Sequence, residues 1–144
     1  MLFRSAFCSG ILFRGKYVLT AGHCMDQANS CAASAFVFGY QIPKGSQNWN
    51  YQIPGKNVFG CKRVIAKHYL GTVAGGTTDS QLRTDFAIVE LDRPVANQGA
   101  IAVSDGNISL RSPVYVLGYP SGLPLKYADG IVLDNKAKDR KSVV

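Results

Sequence analysis

Val18-Leu19-Thr20-Ala21-Gly22-His23-Cys24 sets a histidine and a cysteine directly behind a short apolar run. Its apolar start reads as a strand, and Ala21 and Gly22 are small enough to let another backbone or side chain approach closely. The histidine therefore stands at a strand end, at a point of tight packing, with a cysteine next to it. A ring held still in that way suits a general base, because proton transfer depends on keeping the base within hydrogen-bond reach of its partner. A histidine met in isolation is more often a satisfied structural residue, so His23 is a candidate that its surroundings must promote.

The second candidate is Asp85, at the head of Asp85-Phe86-Ala87-Ile88-Val89-Glu90-Leu91. An acidic residue leading an apolar strand can be carried into a largely dry site, where it needs a hydrogen-bonded partner. An imidazole N–H would serve, and the carboxylate would fix the tautomer of the ring. Taken alone, Asp85 reads more readily as a strand-edge carboxylate in water. Asp79 and Asp92 compete for the same role, but neither leads an apolar strand.

Composition narrows the classes. With 47% apolar and 17% charged residues the chain is globular in type rather than disordered. Its 144 residues suffice for one ordinary domain with a buried core. No stretch approaches the roughly 20 unbroken apolar residues of a membrane span, so no membrane association is expected. Sixteen Lys and Arg against nine Asp and Glu leave a net charge of +7. Nucleic-acid binding would need those cations clustered with aromatic or Gly-rich interleaving. Only the tail is dense, with Lys136, Lys138, Arg140 and Lys141, and Asp134 and Asp139 sit among them. A solvated face or terminal extension accounts for it, and no nucleic-acid partner is expected.

Cys8, Cys24, Cys31 and Cys61 all lie in the first half of the chain. There is no C-x-x-C pair and there are only two histidines, so the cysteines read as structural disulfides and no metal or organic cofactor is expected. Disulfides imply an oxidising compartment, hence a secreted or extracellular protein. Met1-Leu2-Phe3-Arg4 lacks the basic start and long apolar run of an export signal, so Met1 is not expected to be the natural start.

Along the chain, short strands alternate with turn signals and no sustained helical periodicity appears. Strands are expected at residues 7–13 and 17–20, joined as a hairpin through Arg14-Gly15-Lys16, and then at 33–40, 60–68, 85–91, 101–103, 113–118 and 126–133. Residues 41–56 and 72–83 read as loops, and Tyr119-Pro120-Ser121-Gly122 as a turn. His68, at a strand end, is expected to face solvent. The pattern is that of a barrel or sandwich rather than a parallel α/β sheet.

Cys8-Ser9-Gly10 followed by Leu19-Thr20-Ala21-Gly22-His23-Cys24 resembles the first half of trypsin- and chymotrypsin-like serine proteases. Asp85-Phe86-Ala87-Ile88-Val89-Glu90-Leu91, then Arg93-Pro94-Val95, is similar to the segment carrying their catalytic aspartate. Val116-Leu117-Gly118-Tyr119-Pro120-Ser121-Gly122 resembles the Gly-Tyr-Pro segment of the bacterial-type members, the glutamyl endopeptidases and their relatives. The resemblance implies an all-β, antiparallel, chymotrypsin-like double β-barrel with the active site between the barrels. It puts the first barrel half at residues 1–100, carrying both candidates, and a partial second barrel at 101–144. The family's general base falls on His23 and its orienting acid on Asp85, acting on a protein or peptide substrate. Cys8–Cys24 would be the family's bridge beside the histidine, worth about 3 kcal/mol in the chain-entropy model. Cys31–Cys61 is then the second bridge, by elimination.

The pattern breaks at the nucleophile. Beyond Asp85 the serines are Ser104, Ser109, Ser112, Ser121 and Ser142, and none stands in a Gly-Asp-Ser-Gly type segment. The resemblance therefore implies a chain cut at both ends, holding the His and Asp of a triad but not its serine. An opened second barrel would leave strand edges unpaired, and self-association is expected. The alternative expectation is a catalytically inactive protease homologue that acts as a secreted protein-binding module.

Overall fold

The computed structural model describes residues 7–46, 52–69, 85–96, 101 and 106–133. Seven strands are found among them: β1 (Gly10–Phe13), β2 (Tyr17–Thr20), β3 (Ala35–Val37), β4 (Val58–His68), β5 (Phe86–Leu91), β6 (Pro113–Gly118) and β7 (Lys126–Ile131). The fold is all-β and antiparallel. Five strands form one sheet in the order β1-β2-β5-β4-β3, and β6 and β7 form a separate ribbon. The larger sheet curls into half a barrel, the start of a chymotrypsin-like fold.

Alternation along β5 explains where the core lies. Ala87, Val89 and Leu91 point to one face and are almost wholly buried. Leu91 packs with Leu12, Val18, Phe59 and Val95 at one end of the curl. Ala87 and Val89 pack with Cys24 and Met25 at the other. Each large apolar side chain buried this way contributes about 1.5–3 kcal/mol relative to exposure.

Several element boundaries differ from expectation for identifiable reasons. The first strand starts at Gly10 rather than residue 7, because the Ser9 carbonyl accepts from the Thr20 hydroxyl at 2.8 Å instead of joining the ladder. Residues 30–33 form one helical turn, α1 (Ser30–Ala33), which leaves only Ala35–Val37 of the expected 33–40 strand. β4 starts earlier than residue 60, at Val58, since Val58 and Phe59 pair with Val37 and Phe36. β7 ends at Ile131. The expected loop at 72–83 lies outside the described residues, as does most of the expected strand at 101–103.

The register of β5 with its neighbours fixes which residues meet at the ends of the sheet. Thr20, the last residue of β2, lies opposite Ala87, and His68, the last of β4, lies opposite Phe86. The chain leaving β2 and the chain entering β5 therefore meet at one corner of the sheet.

Candidate active site

His23 and Asp85 stand at that corner. His23 lies in a 3-10 turn, Gly22–Met25, whose first bond runs from the Cys24 N–H to the Ala21 carbonyl at 3.2 Å. The turn follows β2 directly, while Asp85 immediately precedes β5. Two residues far apart in the chain are thus brought together by strand register alone.

The contact between them is double. Asp85 Oδ1 accepts from the His23 backbone N–H at 2.9 Å, and Oδ2 lies 2.7 Å from His23 Nδ1. Burial pushes the Asp85 carboxyl up, but hydrogen bonds from the His23 ring, the His23 backbone and the Gly22 backbone outweigh it. The carboxyl is held below its ordinary range. An ionised carboxylate only accepts, so Nδ1 carries the hydrogen and Nε2 is left as an acceptor. The His23 side chain is 53% exposed against 20% for Asp85. The acid is thus the sheltered partner and the ring the accessible one.

Gly22 makes this geometry sterically possible. A Cβ there would run into the carbonyl oxygen of His68, and would stand 2.9 Å from the carbonyl of Phe86 and 3.0 Å from Tyr69 Cβ. Only a residue without a side chain lets the turn sit so close to the ends of β4 and β5. Tyr69, which sequence reasoning did not single out, packs edge-on to the His23 ring at 5.9 Å between centroids.

Two disulfides brace the sheet, the first of them at this corner. Cys8–Cys24 ties the turn to the segment ahead of β1, and Cys31–Cys61 ties α1 to β4. Cys8, Cys24 and His23 bring two sulfurs and a ring nitrogen within 4.8 Å. The sulfurs are bonded to each other, so this cluster offers no thiolate to a metal.

The remaining candidates fall elsewhere. Asp92 lies just past the far end of β5, where it pairs with Arg93 and donates its N–H to the Gly60 carbonyl. Asp79 is outside the described residues. His68 does not simply face solvent: it is half-buried and its ring stacks on Phe86 at 6.4 Å. Ser121 is exposed in a tight turn with φ 52°, ahead of Gly122 at φ 76°. Ser104 and Ser142 lie outside the described residues.

Sequence reasoning also missed the role of Ser9. Its hydroxyl accepts the Tyr119 backbone N–H at 2.9 Å, joining the β6–β7 ribbon to the first sheet. Tyr40 and Tyr119 stack in parallel at 6.2 Å beside that bond. Burial pushes the Tyr119 phenol up. No local pattern announces such contacts, because the partners are remote in sequence.

Comparison with known proteins agrees with this architecture. Residues 8–144 match the family described as the trypsin-like peptidase domain. No curated protein matches the chain. A half-barrel of antiparallel strands, a histidine turn stapled by a disulfide and a match over nearly the whole length converge on one assignment: this chain belongs to the trypsin-like peptidase domain family.

Proposed function

We propose that the chain contributes the general base and orienting acid of a serine-type endopeptidase, His23 and Asp85. The observation that carries this reading is the two-point hold of Asp85 on His23, through Nδ1 at 2.7 Å and the backbone N–H at 2.9 Å. A carboxylate so placed fixes the tautomer in which Nε2 is bare, and stabilises the imidazolium that forms when Nε2 takes a proton. In this reading Nε2 accepts the proton of an attacking serine hydroxyl. It then returns that proton to the amine leaving the cleaved peptide. The substrate is a protein or peptide.

The Gly118-Tyr119-Pro120 segment supports a place near the bacterial glutamyl endopeptidases. The separate sheets support residues 1–100 as a first barrel half and 101–144 as part of a second. The two disulfides support a secreted protein.

None of the serines beyond Asp85 lies in a Gly-Asp-Ser-Gly type segment, and this favours a second reading, an inactive homologue that binds a protein partner. The transcript read past codon 144 separates the two. An in-frame Gly-x-Ser-Gly segment supports the enzyme, and a stop codon supports the binder. On the 144-residue chain itself, neither casein cleavage nor labelling by a serine-directed fluorophosphonate is expected. Stoichiometric labelling of any of its serines would overturn the assignment of roles.

A further inference from the structure

Glu90 is the one charged side chain in the core of the described residues, and it is not in the catalytic pair. It lies on the face of β5 opposite Ala87, Val89 and Leu91, which would ordinarily be the wet face. It is nevertheless only 2% exposed. Three cations close over it. Lys16 Nζ and Lys62 Nζ donate to Oε1 at 2.7 and 3.0 Å, and Arg63 Nε donates to Oε2 at 2.7 Å. Those hydrogen bonds hold the Glu90 carboxyl down at about 2, so it stays ionised beneath them.

A β-bulge builds the trio. From Cys61 opposite Leu91 the β4 register advances to Arg63 opposite Glu90, so two residues of β4 answer one step of β5. The extra residue is Lys62. A regular ladder would send Lys62 and Arg63 to opposite faces, whereas the bulge turns both toward Glu90. The arrangement exceeds what neutralising one carboxylate requires, and the surplus points outward. The side chains of Lys16, Lys62 and Arg63 are 35%, 56% and 68% exposed. Arg63 gives only Nε to Glu90, and among the described residues no bond occupies its terminal amino groups.

The same row continues across the sheet as Phe13 opposite Tyr17 and Tyr17 opposite Glu90. The Phe13 and Tyr17 rings lie 5.6 Å apart, both half-buried, and Lys16 Nζ is 5.5 Å from the Tyr17 centroid. Cations converging on one point suit a compact group with several acceptor oxygens, such as a sulfate ester, better than the carboxylates spaced along a peptide. An adjoining aromatic strip suits the apolar face of a sugar ring. In the secreted reading that the two disulfides support, polysaccharides are polyanions the protein would meet and intracellular nucleic acids are not.

We propose that the Lys16–Lys62–Arg63 cluster, preorganised by Glu90, is a docking site for a sulfated polysaccharide. Along β5 it lies about 16 Å from Asp85, counting five residues at the usual strand rise, and on the opposite face. A chain docked there leaves the catalytic corner open.

The test uses the purified protein and dextran sulfate as the probe, with binding followed by titration calorimetry at physiological salt. Unsulfated dextran, polyglutamate and inorganic sulfate are the comparison ligands. Lys62→Ala/Arg63→Ala is expected to weaken binding tenfold or more, on the usual scale for charge-assisted contacts. Lys44→Ala/Lys126→Ala, which removes two cations elsewhere, is expected to change it less than about twofold. Because the first variant also strips Glu90 of partners, lysine acetylation of the unmutated protein gives an independent readout. Dextran sulfate should protect Lys16 and Lys62 and leave Lys44 and Lys126 reactive. The proposal is overturned by absence of binding, by equal losses in the two variants, or by uniform lysine protection. It is equally overturned if polyglutamate binds as tightly, or if inorganic sulfate at matched charge displaces the polymer completely.

Discussion

Replacing one oxygen of Asp85 by an amide nitrogen, Asp85→Asn, is the smallest change that tests the orienting role. In the native protein Oδ1 receives the His23 backbone N–H and Oδ2 faces His23 Nδ1. An asparagine keeps one oxygen and has two ways to place it. If that oxygen faces Nδ1–H, the amide NH2 confronts the His23 backbone N–H, donor against donor. If it stays with the backbone N–H, the NH2 points at Nδ1, which must then accept. The second arrangement satisfies both partners and wins, and it moves the ring proton to Nε2. The histidine is then in the wrong tautomer to act as a base. Two bonds to a charged acceptor become bonds between neutral groups, a loss of about 1 kcal/mol each, so the expected destabilisation is about 2 kcal/mol. With the Asp85 side chain only 20% exposed, solvent screening removes little of that. The melting temperature should fall by about 5–10 °C. The tautomer is read from long-range nitrogen–hydrogen NMR spectra at alkaline pH, with His68→Gln assigning the signals. Persistence of the Nδ1–H form in the variant would refute the orienting role. So would a melting temperature within about 1 °C of wild type.

Three further outcomes follow from the same structure. Gly22→Ala forces a methyl against the His68 carbonyl and should cost about 1–3 kcal/mol, while shifting the His23 amide resonance as its bond to Asp85 is disturbed; calorimetry showing a loss below about 0.5 kcal/mol would contradict the tight approach. Glu90 has a carboxyl lowered from 4.5 to about 2, so the unfolded chain binds the proton first, and the stabilisation present above pH 4.5 is lost as pH falls toward 2. Glu90→Gln should therefore be less stable at neutral pH and show a flatter acid limb in that window, and an unchanged acid limb in pH-dependent melts would count against the three-cation cluster. The β6–β7 ribbon pairs with no other strand among the described residues and exposes Tyr115, Val116, Leu117, Tyr127 and Ile131. Concentration-dependent self-association in sedimentation velocity is expected, weakened by Tyr115→Lys/Tyr127→Lys, and a monodisperse monomer throughout would refute it.

Legibility in the sequence tracked the range of the interactions concerned. His23 and Asp85 could be nominated because each sits beside a strand whose alternation is local, and a strand end followed by a turn leaves a mark within a few residues. What joins them is register, and register is set by which side chains fill the core, so their meeting could be expected only through the family's pattern. Glu90 shows the limit. It stands in plain view inside Phe86–Leu91, yet its burial depends on a bulge at Lys62 that exists only once β4 and β5 are paired. The turn at Ser30–Ala33 was too short to show a helical period, and it forms where Cys31 is held to β4 by the bond to Cys61.

The His23–Asp85 corner also has a physical tie to the second sheet that neither motif suggests. The Tyr119 N–H is held by the Ser9 hydroxyl, Ser9 adjoins Cys8, and Cys8 is bonded to Cys24, the neighbour of His23. Tyr40 reinforces the same junction, stacking on Tyr119 and donating its hydroxyl to the Gly122 carbonyl at 3.4 Å. The His23 turn is therefore anchored on one side by the first sheet, through Asp85 and Gly22, and on the other by a disulfide whose far end adjoins Ser9, the residue that bonds Tyr119. In the proposed role, His23 must be aligned with groups from outside the first sheet to within a fraction of an ångström. A bridge that joins the histidine turn to the segment contacting the ribbon meets that need more directly than stiffness alone. The Cys8–Cys24 bond thus has a second consequence beyond loop closure: it makes the position of His23 depend on where the ribbon sits.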